Sequence, residues 1–439
     1  MRGYFYQVLR RYLSLFVLPQ NSVVEVDPMN GLLVAAFPNG RVAFRDTRGT
    51  ARCPVPQGRV VDWDALVDNR PDYFVLSGLI HYERDIQHLM SQLYRRCHAG
   101  TRLIVTYYSS LWRPIINLAS RLGMREKTPE LNWLAPEDIV NLLALENFEL
   151  VRQDCKILLP VYIPILSNVV NRYLASLPFF RLFSLVNIVV ARPILSRTGR
   201  PSVSVIVPAR NEAGHIQEIV ERIPAMGPAD EIVFVEGHST DETWDMIQKV
   251  KKQWAGERKI KICQQDGSGK GDAVRKGFSL AENEIFMILD ADMTVPPEDL
   301  PKFYEAIVSG KGELINGSRL VYPMDNKAMR FINLLGNKFF ATAFSFVLGQ
   351  RFKDTLCGTK VIGREHYRAL AAGRSYFGEF DPFGDFDLLF GAARMGLKFV
   401  EVPINYRERR YGNTNIARWR HGAILLFMLA FAARRIKFI

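Results

Sequence analysis

Short apolar runs alternate with segments of helical period along most of this 439-residue chain. Positions 23–26 predict a strand and 32–37 a helical segment. A strand over 73–76, a helix over 85–96 and a strand over 102–106 follow. A polar stretch with Gly199 and Pro201, residues 196–201, then breaks the pattern. Beyond it the alternation restarts, with strands expected at 203–207, 231–235, 259–263 and 285–289, and helices at 216–222, 243–252 and 273–281. Repeated strand–helix alternation predicts an α/β fold of two doubly wound domains, and the length exceeds what one ordinary core serves. The expected division is a first domain over 1–195, a linker over 196–202, a second domain over 203–420 and a basic, apolar terminal helix over 421–439.

Tyr4, Phe5, Val8, Leu9, Tyr12, Leu13 and Phe16 recur at helical spacing. Arg10 and Arg11 interrupt that stretch, so it does not read as a secretory signal. No segment offers the roughly 20 uninterrupted apolar residues of a spanning helix. The nearest, 422–433, is bounded by His421 and by Arg434 and Arg435. It fits a helix lying in a membrane interface with a basic collar, the alternative being a helix docked on its own domain.

Hydrophobic content of 48% with 23% charged residues excludes a disordered chain. The net charge of +12 is concentrated late: residues 407–437 carry eight Lys or Arg against one acid, Glu408. That clustering calls for an anionic partner such as phosphate groups, nucleic acid or an acidic membrane surface. Five scattered cysteines without a C-x-x-C pair indicate neither a zinc cluster nor a disulfide framework, and favour a reducing compartment.

In an open parallel sheet, ligands bind where strands release their carboxyl ends. The strand at 203–207 releases Pro208, Arg210, Asn211 and Glu212; the next releases Glu236, Gly237, His238 and Asp241. The third leads to Gly267-Ser268-Gly269-Lys270-Gly271-Asp272, and the fourth to Asp290-Ala291-Asp292. Two carboxylates at a strand end suit a divalent cation that is itself holding phosphates, or an acid-capped turn. The glycine loop is no Walker A sequence, because Gly271 follows Lys270 where Ser or Thr belongs.

These fragments stand in a fixed order with Gly317-Ser318-Arg319, Asp354-Thr355-Leu356-Cys357-Gly358-Thr359-Lys360 and Arg409-Arg410-Tyr411-Gly412-Asn413-Thr414-Asn415. Together they resemble the GT-A glycosyltransferases of family 2, and within them the dolichol-phosphate mannose synthase group. The resemblance implies that Pro208, Arg210 and Glu212 line a nucleotide pocket, with Glu236 against base or ribose. It places Lys270, Asp290, Ala291 and Asp292 at the diphosphate, with Asp292 the direct Mg2+ or Mn2+ ligand and Asp290 beside it. Arg319 and Arg409 would approach the diphosphate and acceptor phosphate, where guanidinium forks match phosphate oxygens.

Three departures from the family's pattern stand out. Thr294, counted with Asp290 and Asp292 at the metal, replaces a Gln that touches it; Gly237-His238 replaces an Asp-Gly pair; and Asn415, counted among the ligand-binding residues, replaces a Lys near the phosphates. No Q-x-x-R-W motif is present, which disfavours a processive synthase. The resemblance implies an inverting, metal-dependent transfer from a nucleotide sugar to a polyprenyl phosphate at the cytosolic face of an anionic membrane surface. Nucleic acid is not an expected partner, and a homo-oligomer stays open. An anionic acceptor needs little base catalysis; for a hydroxyl acceptor, Asp385 and Asp387 are the candidate bases, against a helix-capping role for both. A non-catalytic nucleotide-sugar scaffold is the remaining alternative. The apolar stretch 328–348 would face the lipid.

Residues 22–192 resemble a class I S-adenosylmethionine methyltransferase domain, through Val23-Val24-Glu25-Val26, Asp72-Tyr73-Phe74-Val75-Leu76-Ser77 and Asn132-Trp133-Leu134. The loop Asp27-Pro28-Met29-Asn30-Gly31 keeps one glycine, and Pro28 removes a donor. His81, His88 and His98 have no ligand spacing. The expectation is a Rossmann-like, degenerate domain, with an active methyltransferase as the alternative.

Overall fold

A computed structural model of the chain describes residues 2–46, 53, 55–123, 132–195, 199–322, 331–376, 384–407, 411 and 418–439. It divides into two compact units, residues 1–195 with 433–439, and residues 196–432.

The first unit is built on seven strands: β1 (Val23–Val26), β2 (Gly40–Phe44), β3 (Val60–Asp62), β4 (Tyr73–Ser77), β5 (Arg102–Tyr108), β6 (Phe148–Lys156) and β7 (Val186–Pro193). Their order is β3-β2-β1-β4-β5-β7-β6. The first five run parallel, and β7 runs antiparallel to both of its neighbours. The order reverses between β1 and β4, as in doubly wound folds. Helix Ile86–Tyr94 follows β4 and is capped by Asp85, whose side chain accepts from the His88 amide. The segment expected to be helical at 32–37 contains only the 3-10 turn Val34–Ala36.

A bulge in β6 between Leu150 and Arg152 reverses which face its later side chains occupy. Phe148 belongs to the core on one face, while Arg152, Asp154 and Lys156 are buried on the other. There the Tyr12 hydroxyl donates to Asp154, Arg152 pairs with the same carboxylate, and Lys437 Nζ lies 2.8 Å from its Oδ1. Lys156 donates to Ser176 at 2.8 Å and to the Lys437 carbonyl at 3.1 Å. The chain end is therefore not one helix through 439. Helix Arg418–Ala432 belongs to the second unit, and the π-helical turn Ala433–Lys437 to the first, drawn in by the buried carboxylate.

The second unit has β8 (Val203–Ala209), β9 (Glu231–Glu236), β10 (Lys259–Gln264), β11 (Ile285–Ile288), β12 (Leu314–Ser318), β13 (Lys360–Gly363) and β14 (Phe399–Pro403). The order is β10-β9-β8-β11-β13-β12-β14, with β13 alone reversed. Strands β8, β9 and β11 are buried almost throughout, as parallel strands covered on both faces must be. Helix Lys270–Leu280 lies close on the sheet because Gly277 leaves no Cβ to strike Ile206, 2.4 Å away. The switch point falls between β8 and β11, so the loops after these strands form the mouth of the unit.

Candidate active site

Register aligns the strand ends: Ala209 of β8 faces Glu236 of β9, which faces Gln264 of β10. The loops beyond are tied to one another. Asn211 Oδ1 accepts the Thr240 amide at 2.8 Å, and the Asn211 amide donates to Ser239 Oγ at 3.0 Å. Glu236, 1% exposed, accepts the Ser239 amide at 2.5 Å and the Gln264 side-chain amide at 3.0 Å. Glu212 is also buried, with one oxygen 2.9 Å from His215 Nδ1 and its amide on Thr243 Oγ1 at 2.9 Å. Arg210 is exposed beside them and Pro208 half-buried. After β8, β9 and β11 the chain turns through left-handed backbone at Asn211 (φ +56°), His238 (+55°) and Met293 (+53°). Non-glycine residues adopt this conformation at a cost, and its recurrence at three neighbouring strand ends marks a constrained site.

At the switch point Lys270, first residue of its helix, lies 2.6 Å from Asp290 Oδ1 and 4.0 Å from Asp385 Oδ1. Lys360 Nζ approaches the same Asp385 oxygen at 3.2 Å. Burial works against the Lys270 charge, but Asp290, Asp385 and Asp292 outweigh it and raise its pKa above the ordinary lysine value. Burial likewise opposes ionisation of Asp290, yet Lys270, then Lys360 and Arg319, hold its carboxyl below the ordinary range. Gly358 is the floor of this cluster: a Cβ there would lie 2.0 Å from Asp290 Oδ2 and 2.3 Å from Lys270 Nζ. Gly384 makes a similar approach, its φ at +73° and a Cβ only 2.7 Å from the Gly271 Cα.

Asp292 sits one turn further along. Thr294 donates to its Oδ1 from both hydroxyl (2.8 Å) and amide (3.2 Å), so Thr294 orients that carboxylate. Ala291 between the acids is buried. Arg319 is committed to a different partner from the one the sequence suggests. Its Nε and Nη2 donate to Asp354 at 2.6 and 2.8 Å, a two-pronged pair completed by its backbone amide, and its guanidinium lies 5.2 Å from the Tyr406 ring centroid. Its positive charge is also felt at Asp290. The capping role considered for Asp385 and Asp387 is not what their side chains do. Asp385 makes no cap bond to its helix and pairs with Lys360, while Asp387 accepts from Arg374 Nε at 2.7 Å. Arg409 and Asn415 lie outside the described residues.

Asp354, Gly358 and Lys360 are site residues to which sequence reasoning gave no role. Their signal was the ordered motif 354–360, whose acid, glycine and lysine serve Arg319, the Asp290–Lys270 pair and Asp385 respectively.

Acids, a lysine and a glycine loop are thus gathered at the switch point of a doubly wound unit, the place where such folds bind their ligands. The sequence profile described as Glycosyl transferase family 2 matches residues 204–370. Glycosyltransferase AglJ of Haloferax volcanii is 30% identical over 52% of this chain and 71% of its own length. Dolichol-phosphate mannosyltransferase of Pyrococcus furiosus is 29% identical over 49% of this chain and 59% of its own. An undecaprenyl-phosphate 4-deoxy-4-formamido-L-arabinose transferase of Edwardsiella ictaluri is 30% identical over 48% and 62%. The chain thus spans less than two thirds of these last two relatives. It belongs to glycosyltransferase family 2, and the second unit holds the matched residues.

Proposed function

We propose that the second unit moves a sugar from a nucleotide-sugar donor to a polyprenyl phosphate, with inversion, at a cytosolic membrane face. The observation that carries this reading is the state of the two candidate bases. Asp385 and Asp387 are each held in an ion pair, with Lys360 and Arg374, an arrangement that suits an acceptor that needs no proton removed. A phosphate oxygen is such an acceptor; a hydroxyl is not. The names of the mannosyltransferase and arabinose-transferase relatives, each a transferase of dolichol or undecaprenyl phosphate, agree.

The donor set at the strand end consists of hard oxygens, which fit Mg2+ or Mn2+. Among the described residues no cluster of three His, Cys, Asp or Glu groups could hold a metal. One carboxylate, with substrate phosphates completing the shell, is how such ions are commonly bound. Asp292 is the residue that would hold the ion, since Asp290 faces Lys270. When bound, the ion would act as a Lewis acid on the departing diphosphate. Lys270 adds a fixed positive charge where negative charge develops. Glu236 and Arg210 flank the place of the nucleoside.

The lipid side of the reading rests on helix Phe331–Leu348 and helix Arg418–Ala432, which pack together. The Phe344 ring of the first lies 4.9 Å from that of Phe386, tilted against it, anchoring that helix to the unit. Leu335 and Phe339, with Lys338 between them, form an outward stripe, and Leu426 and Phe427 are exposed on the second helix. No described helix is long and apolar enough to cross a membrane, so contact would be interfacial.

For the first unit we propose a Rossmann-like, methyltransferase-type scaffold without cofactor. Its strand order supports the Rossmann-like part. Loss of the cofactor is supported by Arg45, which follows β2 and spans the switch point to pair with Asp27 at 2.5 Å and with Glu83. Those acids are spent inside the protein. Calorimetric titration of the full chain with S-adenosylmethionine is expected to give no binding heat; saturable binding would contradict this.

The donor half of the proposal is checked by a thermal-shift screen of nucleoside diphosphates and their sugars with Mn2+ or Mg2+. One nucleotide class is expected to raise the melting temperature of the second unit by several degrees, as a ligand at about 100 times its Kd contributes about 2.7 kcal/mol. No shift with any nucleotide would count against the pocket.

A further inference from the structure

We propose that the first unit carries a bilayer-docking face of its own, built for an anionic membrane surface and separate from the second unit's apolar stripe. Two segments form it. The first is helix Arg113–Arg121 with its flanks. Leu111, Ile115, Leu118 and Leu122 recur at spacings of four, three and four, the period of one helical face. In a globular domain that stripe faces the core. Here all four are exposed, Leu122 at 65%, while Ile116 alone of the helix is buried.

The second segment is the excursion that leaves β6 and returns to β7. Antiparallel neighbours can be joined by a two-residue turn; here the chain instead makes a long detour, closed at its base where the Leu185 amide donates to the Ile157 carbonyl at 2.7 Å. Tyr162, Ile163, Ile165, Phe179, Leu182 and Phe183 are exposed along it, Ile165 at 79% and Phe179 at 66%. The detour is nonetheless an ordered structure. Asn171 braces its start by bonding both the amide and the carbonyl of Leu159, at 2.9 and 2.8 Å. The two segments meet where the Trp112 indole donates to the Phe183 carbonyl at 2.8 Å, which makes their apolar surfaces neighbours. Large contiguous apolar surface on a folded unit calls for a partner.

Charge selects that partner. Residues 111–123 contain Arg113 and Arg121 and no acid; residues 157–185 contain Arg172 and Arg181 and no acid. Arg172 and Arg181 are half-buried, Arg172 donating to the Phe438 carbonyl at 3.0 Å, so the exposed Arg113 and Arg121 form the collar. Apolar side chains flanked by such arginines match acyl chains below anionic headgroups. Trp112, Tyr162 and Tyr173 add aromatic side chains of the kind that settle at the headgroup level. A second copy of this chain fits poorly, because a two-fold interface apposes the same patch and would set arginine against arginine.

The test is flotation of the full-length protein with vesicles of phosphatidylcholine alone or mixed with phosphatidylglycerol. The protein is expected to float with the mixed vesicles. Arg113→Gln with Arg121→Gln should lower the partition coefficient about thirtyfold on mixed vesicles and little on neutral ones. Ile115→Glu with Leu118→Glu, and separately Phe179→Glu with Leu182→Glu, should each lower it at least about tenfold on both. All six side chains are surface groups, and unchanged melting of either pair suffices for the reading. Sugar transfer to a detergent-dispersed acceptor should be unaffected, which separates this proposal from that for the second unit. Undiminished flotation of these variants would overturn it. So would flotation lost only with Leu335→Glu and Phe339→Glu, or variants that leave flotation intact and abolish a dimer in sedimentation.

Discussion

Asp292→Asn is expected to lower sugar transfer by about 10^3-fold while leaving the melting temperature unchanged. The magnitude is that of removing one well-placed group that stabilises developing charge. The structure explains why the effect should be confined to chemistry. Asparagine keeps an oxygen where Thr294 donates, so both Thr294 bonds in the turn after β11 are retained while the negative charge is lost. Asp290→Asn differs in kind: it strips the partner of Lys270 and leaves a partly buried ammonium beside Gly358. Rates measured at saturating donor, with calorimetric melting of the same preparation, separate the two effects. Transfer by Asp292→Asn at the wild-type rate would exclude a metal-assisted step at this carboxylate.

Asp154→Asn is expected to destabilise the first unit by about 3–5 kcal/mol, the cost of removing one partner from a buried ion pair. Asp154 is 3% exposed and is the carboxylate at which Arg152, Lys437 and the Tyr12 hydroxyl converge. Its loss would leave cations from β6 and from the chain end buried without it. The melting transition of the first unit should fall by about 10 °C, and hydrogen exchange in β6 and β7 should accelerate. A pH signature accompanies the cluster. Burial pushes the Lys156 ammonium down to about 7, although Asp154 opposes the shift. The unfolded lysine binds its proton near its ordinary 10.5, so between about 7 and 10.5 the unfolded state holds more protons. The contribution of Lys156 to stability therefore rises with pH across that window, and Lys156→Met should remove that part of the slope. Identical pH slopes in wild type and variant would contradict it, as would an Asp154→Asn protein that melts like wild type.

What was legible in the sequence follows the physics of burial. Strands β1, β4, β5, β8, β9 and β11 could be read because each is a mainly apolar run between polar turns, β10 because Ile260 and Ile262 alternate with lysines, and helix Ile216–Arg222 because its period is clean. Strands β6 and β13 were not, since they carry buried charge. The structure buries Arg152, Asp154 and Lys156 in β6 and Lys360 at the start of β13. Only their partners, Lys437 from far along the chain and Asp385 from another element, make burial tolerable. The site was legible as an ordered set of motifs, which brought Lys270, Asp290 and Asp292 to one strand-end cluster. Pairings inside it were not legible. That Arg319 is held by Asp354, and that Asp385 and Asp387 are ion-paired and not caps, depends on contacts no spacing rule encodes.

The central claim is transfer of a sugar to a phosphate-bearing polyprenyl lipid, and its most direct test is phase partition of a radiolabelled donor. Purified protein is incubated with labelled nucleotide sugars, a divalent cation, and either a polyprenyl phosphate or the corresponding polyprenol. With one donor, label is expected to enter the organic phase with the phosphate and not with the alcohol. Equal or greater transfer to the alcohol, or label that stays aqueous with every donor, would contradict the account.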